Sequence, residues 1–185
     1  MFYFELVRRF GNVVLMTSTQ MSNQNPATYV QSAPEKVYEY IEDDLLYACD
    51  ILPYATDDQY RESNDYRFSK GAALGLLTKV YATWAGYPVK DESKWEAAAK
   101  TARILVESGK HGLLKDYEQL WKNTCNGTWD PTESLIEISF YSPTVSGNSD
   151  PVGRIGKWNG VKTTAIAGVR GSCAANVKVV HTFVL

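Results

Sequence analysis

Glu133 and Glu137 stand four residues apart in a stretch where apolar and polar residues alternate, and paired carboxylates are the residue type of glycoside hydrolysis. Such pairs work at carboxyl separations of about 5 Å or about 6.5–9.5 Å. Four residues along a strand separate two backbone positions by about 13 Å. The pair therefore reads as the wet face of a strand, and hydrolysis ranks third among the functions considered. The other chemistry-bearing residues are aromatic: 5 Trp, 12 Tyr and 6 Phe. Many fall outside helical stripes, namely Tyr54, Tyr60, Tyr66, Tyr87, Trp129, Tyr141 and Trp158. An aromatic face stacks on the apolar C–H face of a pyranose while nearby amides and hydroxyls bond its rim. Trp158-Asn159 and Asn126-Gly127-Thr128-Trp129 have that composition. The candidate carbohydrate-binding residues are Trp158, Asn159, Trp129 and Tyr141, with no catalytic set, no metal ligands and no cofactor. For any one loop tryptophan the alternative is that it folds back and seals the core.

Composition narrows the rest. The chain has 185 residues, 44% of them hydrophobic and 22% charged, with a formal net charge of −2. These values suit an ordinary globular domain. The last acidic residue is Asp150, and Arg154, Lys157, Lys162, Arg170 and Lys178 are the only charges after it. An acidic body with a sparse basic tail argues against nucleic acid as a partner. Gly153-Arg154-Ile155-Gly156 imitates a nucleotide-clamping GxxG loop but is not placed between two helices. Three cysteines without C-x-x-C spacing and only two histidines supply neither a zinc motif nor a histidine-rich centre. No apolar run approaches the roughly 20 residues of a membrane span. The first residues, apolar before basic, reverse the layout of a signal peptide.

The elements that must position these groups are mostly helical. Phe2, Leu6 and Phe10 share one helix face over Met1–Phe10, and Gly11-Asn12 ends it. That face is expected to be exposed unless segments outside this chain cover it. Val13-Val14-Leu15 is extended, and Thr17–Tyr29 reads as a polar loop. Ser32-Ala33-Pro34-Glu35 has the form of a capping box ahead of the stripe Val37, Ile41, Leu45, Ala48 and Leu52, which Pro53 stops. Ser69 caps a helix over about Lys70–Ala85, with Ala73, Leu76 or Leu77, Val80 and Trp84 inward. A second capping box, Ser93-Lys94-Trp95-Glu96, opens a helix closed by Gly109, with Trp95, Ala98, Ala99, Ala102, Leu105 and Val106 expected inside. Two such helices joined by a Gly/Pro turn form an αα-hairpin, the unit of helical repeats. One helical turn follows over Asp116–Trp121, then loop over Cys125–Pro131 and a half-buried strand to Tyr141.

The wording of these segments resembles the SusD/RagB family. Arg67-Phe68-Ser69-Lys70-Gly71-Ala72-Ala73, leading to Leu76-Leu77 and Lys79-Val80-Tyr81, is similar to its hallmark helix. Four further segments agree in order. They are Leu6-Val7-Arg8-x-Phe10-Gly11-Asn12-Val13, then Val37-Tyr38 through Asp44-Leu45 to Leu52-Pro53, then Trp95-x-x-Ala98 to Ser108-Gly109 with Tyr117-x-x-Leu120-Trp121, and Glu133-x-Leu135-Ile136-Glu137-Ile138. The resemblance implies a mostly α fold of TPR-like helix pairs, an α-α superhelix with a minor β and loop part. It implies non-catalytic binding of oligosaccharide at the outer-membrane surface and delivery to a SusC-like TonB-dependent transporter. It further implies that this chain is the central part of a longer lipoprotein, with export signal and lipid-bearing cysteine outside it, so that membrane contact would come only through that anchor. Residues 1–147 carry the resemblance, and 148–185 form a loop-rich tail without it. The alternative is a helical-repeat scaffold that binds a protein and no sugar. The match departs from the TPR pattern at Thr78, where a tyrosine is expected.

Overall fold

The structure, a computed structural model, describes residues 1–18, 25–59, 61, 65–126 and 128–137. It is mostly α and divides into two compact units. The first comprises Met1–Tyr54 and Ser69–Lys110, and the second takes the described residues of Ala55–Phe68 and of 111–137.

Helix α1 (Phe2–Phe10) ends at Gly11, whose φ of 70° suits a residue without a Cβ and whose N–H donates to the Val7 carbonyl. Phe4 and Val7 are its buried residues, and Phe4 meets the Tyr38 ring edge-on at 6.5 Å. Phe2, Leu6 and Phe10 point outward, Phe2 being 87% exposed. The helix thus has two apolar faces. The expected stripe is the bare one, and the packed one was hidden by its mixture of Phe, Val and Tyr. Tyr3 ties the following segment down: its hydroxyl accepts from the Met16 N–H at 2.8 Å and donates to the Met16 carbonyl.

Strands β1 (Val13–Val14) and β2 (Gln31–Ser32) pair antiparallel, Val13 opposite Ser32. That pairing corrects one expectation. Ser32 is committed to the ladder, so Ala33 becomes the N-cap of α2 (Pro34–Ile51), and no side chain caps it. Pro34 sits in the first turn, where its missing N–H costs nothing. Val37, Tyr38, Ile41 and Leu45 are buried, and the helix stops before Pro53 as expected.

Helix α3 (Lys70–Ala85) forms over the predicted residues, with Ser69 Oγ accepting the Ala72 N–H. Its burial is broad: Ala72, Ala73, Leu74, Leu76, Leu77, Val80, Tyr81, Trp84 and Ala85 are inside, and the face of Gly75, Thr78, Lys79, Ala82 and Thr83 is half-buried. Both leucines point inward because α3 packs against α2 on one side and α4 (Lys94–Glu107) on the other. The α3–α4 hairpin is the predicted helix pair.

Two details of α4 differ from expectation. Ser93 donates its hydroxyl to Asp91 Oδ1, which also receives the Ser93 N–H, so the aspartate two residues back replaces the capping box. The buried residues are Ala98 and Thr101, with Ala102 and Leu105 half-buried, whereas Trp95, Ala99 and Val106 face outward. An alanine-rich helix offers a broad apolar band, and Lys94 chooses the side. Its Nζ lies 3.0 Å from Glu42 Oε2 of α2 and 3.9 Å above the Trp84 ring of α3, which turns Trp95 away. Gly109, at φ 63°, follows the helix as predicted.

Tyr81 completes this junction by donating its hydroxyl to Glu42 Oε1 at 2.7 Å. Burial above all, then that bond and the charge of Glu42, hold the phenol well above the ordinary tyrosine range. The folded state therefore keeps a proton that the unfolded chain releases near pH 10, so the associated stability is complete below about pH 10 and is lost as pH rises beyond it. Melting temperatures taken from about pH 9 to about pH 11.5 are expected to fall more steeply for the unaltered chain than for Tyr81→Phe. Parallel slopes would show that Tyr81 does not set the alkaline limit.

In the second unit, α5 (Tyr117–Asn126) runs further than one turn. Asp116 Oδ1 accepts the Glu118 N–H at its start, and Gln119 bonds Asn123 along its side. Cys125 and Asn126, expected in a loop, are its last residues. Residues 133–137 run as turn and coil rather than strand, since they have no ladder partner among the described residues. Residues 138–141 of the expected strand, and the tail boundary at 148, lie outside the described residues.

Candidate functional site

Of the four residues chosen for carbohydrate chemistry, the structure describes Trp129. Tyr141, Trp158 and Asn159 lie outside the described residues. Trp129 belongs to the stretch between α5 and the turn at Pro131, outside any regular element. Local bonds shape that stretch: the Thr128 N–H donates to the Asn123 carbonyl at 2.8 Å, and Asp130 accepts the Thr132 N–H on Oδ1 and the Ser134 N–H on its carbonyl.

Two partners set the indole's surroundings. Tyr66 lies 5.9 Å away between ring centroids, inclined at 48°, and the Arg61 guanidinium carbon lies 5.4 Å from the indole centroid. Trp129 is half-buried between the two alternatives weighed for it, neither sealed in a core nor fully presented to solvent. Tyr66 was already among the loop aromatics legible in the sequence. Arg61 was missed because it stands 68 positions before Trp129 and belongs to no motif.

Charge around the indole is arranged in a chain. Arg61 lies 3.8 Å from Asp58, and Arg67 binds Asp65 at 2.6 Å. The hydrogen bond from the Arg67 side chain, ahead of that from its backbone N–H, holds the Asp65 carboxyl below the usual carboxylate range.

The two glutamates read as a solvated face have different situations. Glu133 Oε2 accepts the Leu114 N–H at 2.6 Å, pinning the segment before α5. Glu137 is half-buried, and burial raises its carboxyl above the ordinary range. Among the described residues no cluster of His, Cys, Asp and Glu is arranged to hold a metal ion. Among them, too, no helix is long and apolar enough to cross a membrane.

The α3–α4 hairpin places the chain among mostly α proteins built on helix pairs, and comparison with known proteins narrows that class. Residues 1–82 match the model of the SusD-like family described as "Starch-binding associating with outer membrane". A SusD-like protein of Bacteroides ovatus is 27% identical over 168 residues, covering 85% of this chain and 29% of its own length. Among solved structures, a SusD-like protein of Bacteroides fragilis aligns with a TM-score of 0.59 at 24% identity, over 77% of this chain and 26% of that one. A SusD-like carbohydrate binding protein of the same species aligns at 0.57 and 19%, over 75% of this chain and 25% of its own. The chain is thus related in sequence to the SusD-like proteins, and its described helices have their mostly α, TPR-like fold. It spans less than a third of the length of these relatives.

Proposed function

We propose that this chain takes part in non-catalytic binding of oligosaccharide at the outer-membrane surface, for delivery to a SusC-like TonB-dependent transporter. The family match over residues 1–82, joined to the helical fold, carries this reading. Trp129, with Tyr66 beside it, supplies an aromatic surface of the required kind. Trp158, Asn159 and Tyr141 complete the proposed set on their chemistry alone. Affinity per sugar is weak, because few atoms of a glycan are buried on such a surface.

Affinity electrophoresis and calorimetry against a panel of starch, β-glucan, mannan and xylan test it. At least one glycan is expected to bind, and Trp129→Ala and Trp158→Ala are each expected to weaken binding by about tenfold through loss of ring stacking. Absence of binding across the panel would overturn the reading. The exposed apolar residues Phe2 and Phe10 of α1 and Val106 of α4 favour a second one, a helical scaffold for a protein partner. A protein that binds without glycan, and no longer binds the Phe2→Ser variant, would bring that reading forward.

A further inference from the structure

Trp129 lies outside any helix or strand, so contacts rather than backbone geometry must fix the plane of its ring. The contact at its face is an unusual one. The Arg61 side chain is only 5% exposed, yet it carries a full charge. Desolvating a guanidinium is costly unless its donors are occupied. Here Nη1 donates to the Asp65 carbonyl at 3.2 Å and the Arg67 carbonyl at 2.9 Å, while Nε makes no hydrogen bond to another described residue and has the Asp58 carboxylate 3.8 Å away as its counter-charge.

Those two carbonyls are themselves held. Asp65 receives the Arg67 N–H at 2.9 Å and its side chain at 2.6 Å, closing the 65–67 stretch on itself. Tyr66, the residue between them, touches the indole. Charge, carbonyls and both aromatic rings are thereby linked through one side chain. Lysine has no planar guanidinium to lie over the indole while one of its nitrogens holds the two carbonyls, and an aliphatic side chain would cover the ring without holding them.

We propose that Arg61 is a positioning residue for carbohydrate binding, setting the Trp129 and Tyr66 rings in the geometry that meets a sugar. This rests on the glycan reading above. Preorganised rings bind without first losing rotamer freedom, so the effect falls on affinity beyond any effect on folding.

The test uses the full chain labelled with 5-fluorotryptophan, the Trp129 resonance being assigned by Trp129→Phe. Arg61→Met is expected to shift or broaden that resonance. It is also expected to weaken binding of the glycan found in the panel by about tenfold, at unchanged circular dichroism. Arg61→Lys is expected to act in the same direction, and it decides the question if Arg61→Met does not fold. An unmoved Trp129 resonance, or a moved one with undiminished affinity, would overturn the assignment while leaving glycan binding intact. An unaltered chain that binds no glycan would instead remove the functional reading on which it rests.

Discussion

Truncating Trp84 to alanine is expected to lower the stability of the chain by about 3–5 kcal/mol, a large fraction of what an ordinary domain has to lose. The side chain is 4% exposed and joins three helices. Its ring stacks on Tyr38 of α2 at 5.2 Å with an interplanar angle of 15°, and Lys94 of α4 lies over it. Removing the indole opens a large cavity between α2, α3 and α4, and only part of such a cavity closes by relaxation. The indole N–H makes no hydrogen bond to another described residue. Trp84→Phe should therefore lose volume but no polar partner, at a cost of about 1–2 kcal/mol. Urea unfolding followed by circular dichroism gives both values. A similar cost for Ala and Phe would show that shape, not volume, governs this position.

The second large effect concerns Glu42 and Lys94. Their side chains are about four-fifths buried, so the pair lies between a surface ion pair and a core one. Glu42→Gln is expected to destabilise by about 2 kcal/mol, because the Lys94 ammonium is left without its counter-charge while still over the Trp84 ring. The double variant Glu42→Gln with Lys94→Met should recover about half of that loss, since no stranded charge remains. A double-mutant cycle measures the coupling directly. A coupling below about 0.5 kcal/mol would mean that the pair behaves as an exposed one and that α4 is held by its apolar contacts.

How much of this was legible beforehand depended on whether a local rule governed each element. Ser69, Lys70–Ala85 and Gly109 were readable to the residue, because capping and left-handed termination are local chemistry. Ser32 followed its local rule on paper and lost to a strand partner 19 positions earlier, Val13. The face of α4 was not readable either. Its alanines permit several faces, and the choice came from a lysine reaching a glutamate 52 positions away. The candidate site shows the same division. Trp129 and Tyr66 announced themselves as aromatics in polar loops, whereas Arg61 is visible only once the chain has brought it to the indole. The relationship to SusD-like proteins was legible for another reason: five short wordings in a fixed order carry information that no single one of them holds.

Helix α3 is buried over most of its surface, with Gly75, Thr78, Lys79, Ala82 and Thr83 half-buried along the remaining face. A segment so packed has little surface left with which to meet anything outside the chain. Most of its residues answer to their neighbours in the chain, which leaves the loops and outer helix faces freer to vary. The wording in this chain that most resembles the SusD/RagB family lies at this helix and the residues just before it. What makes the likeness easy to read is therefore the part most constrained by packing. Two chains alike along α3 can differ wholly in what they bind.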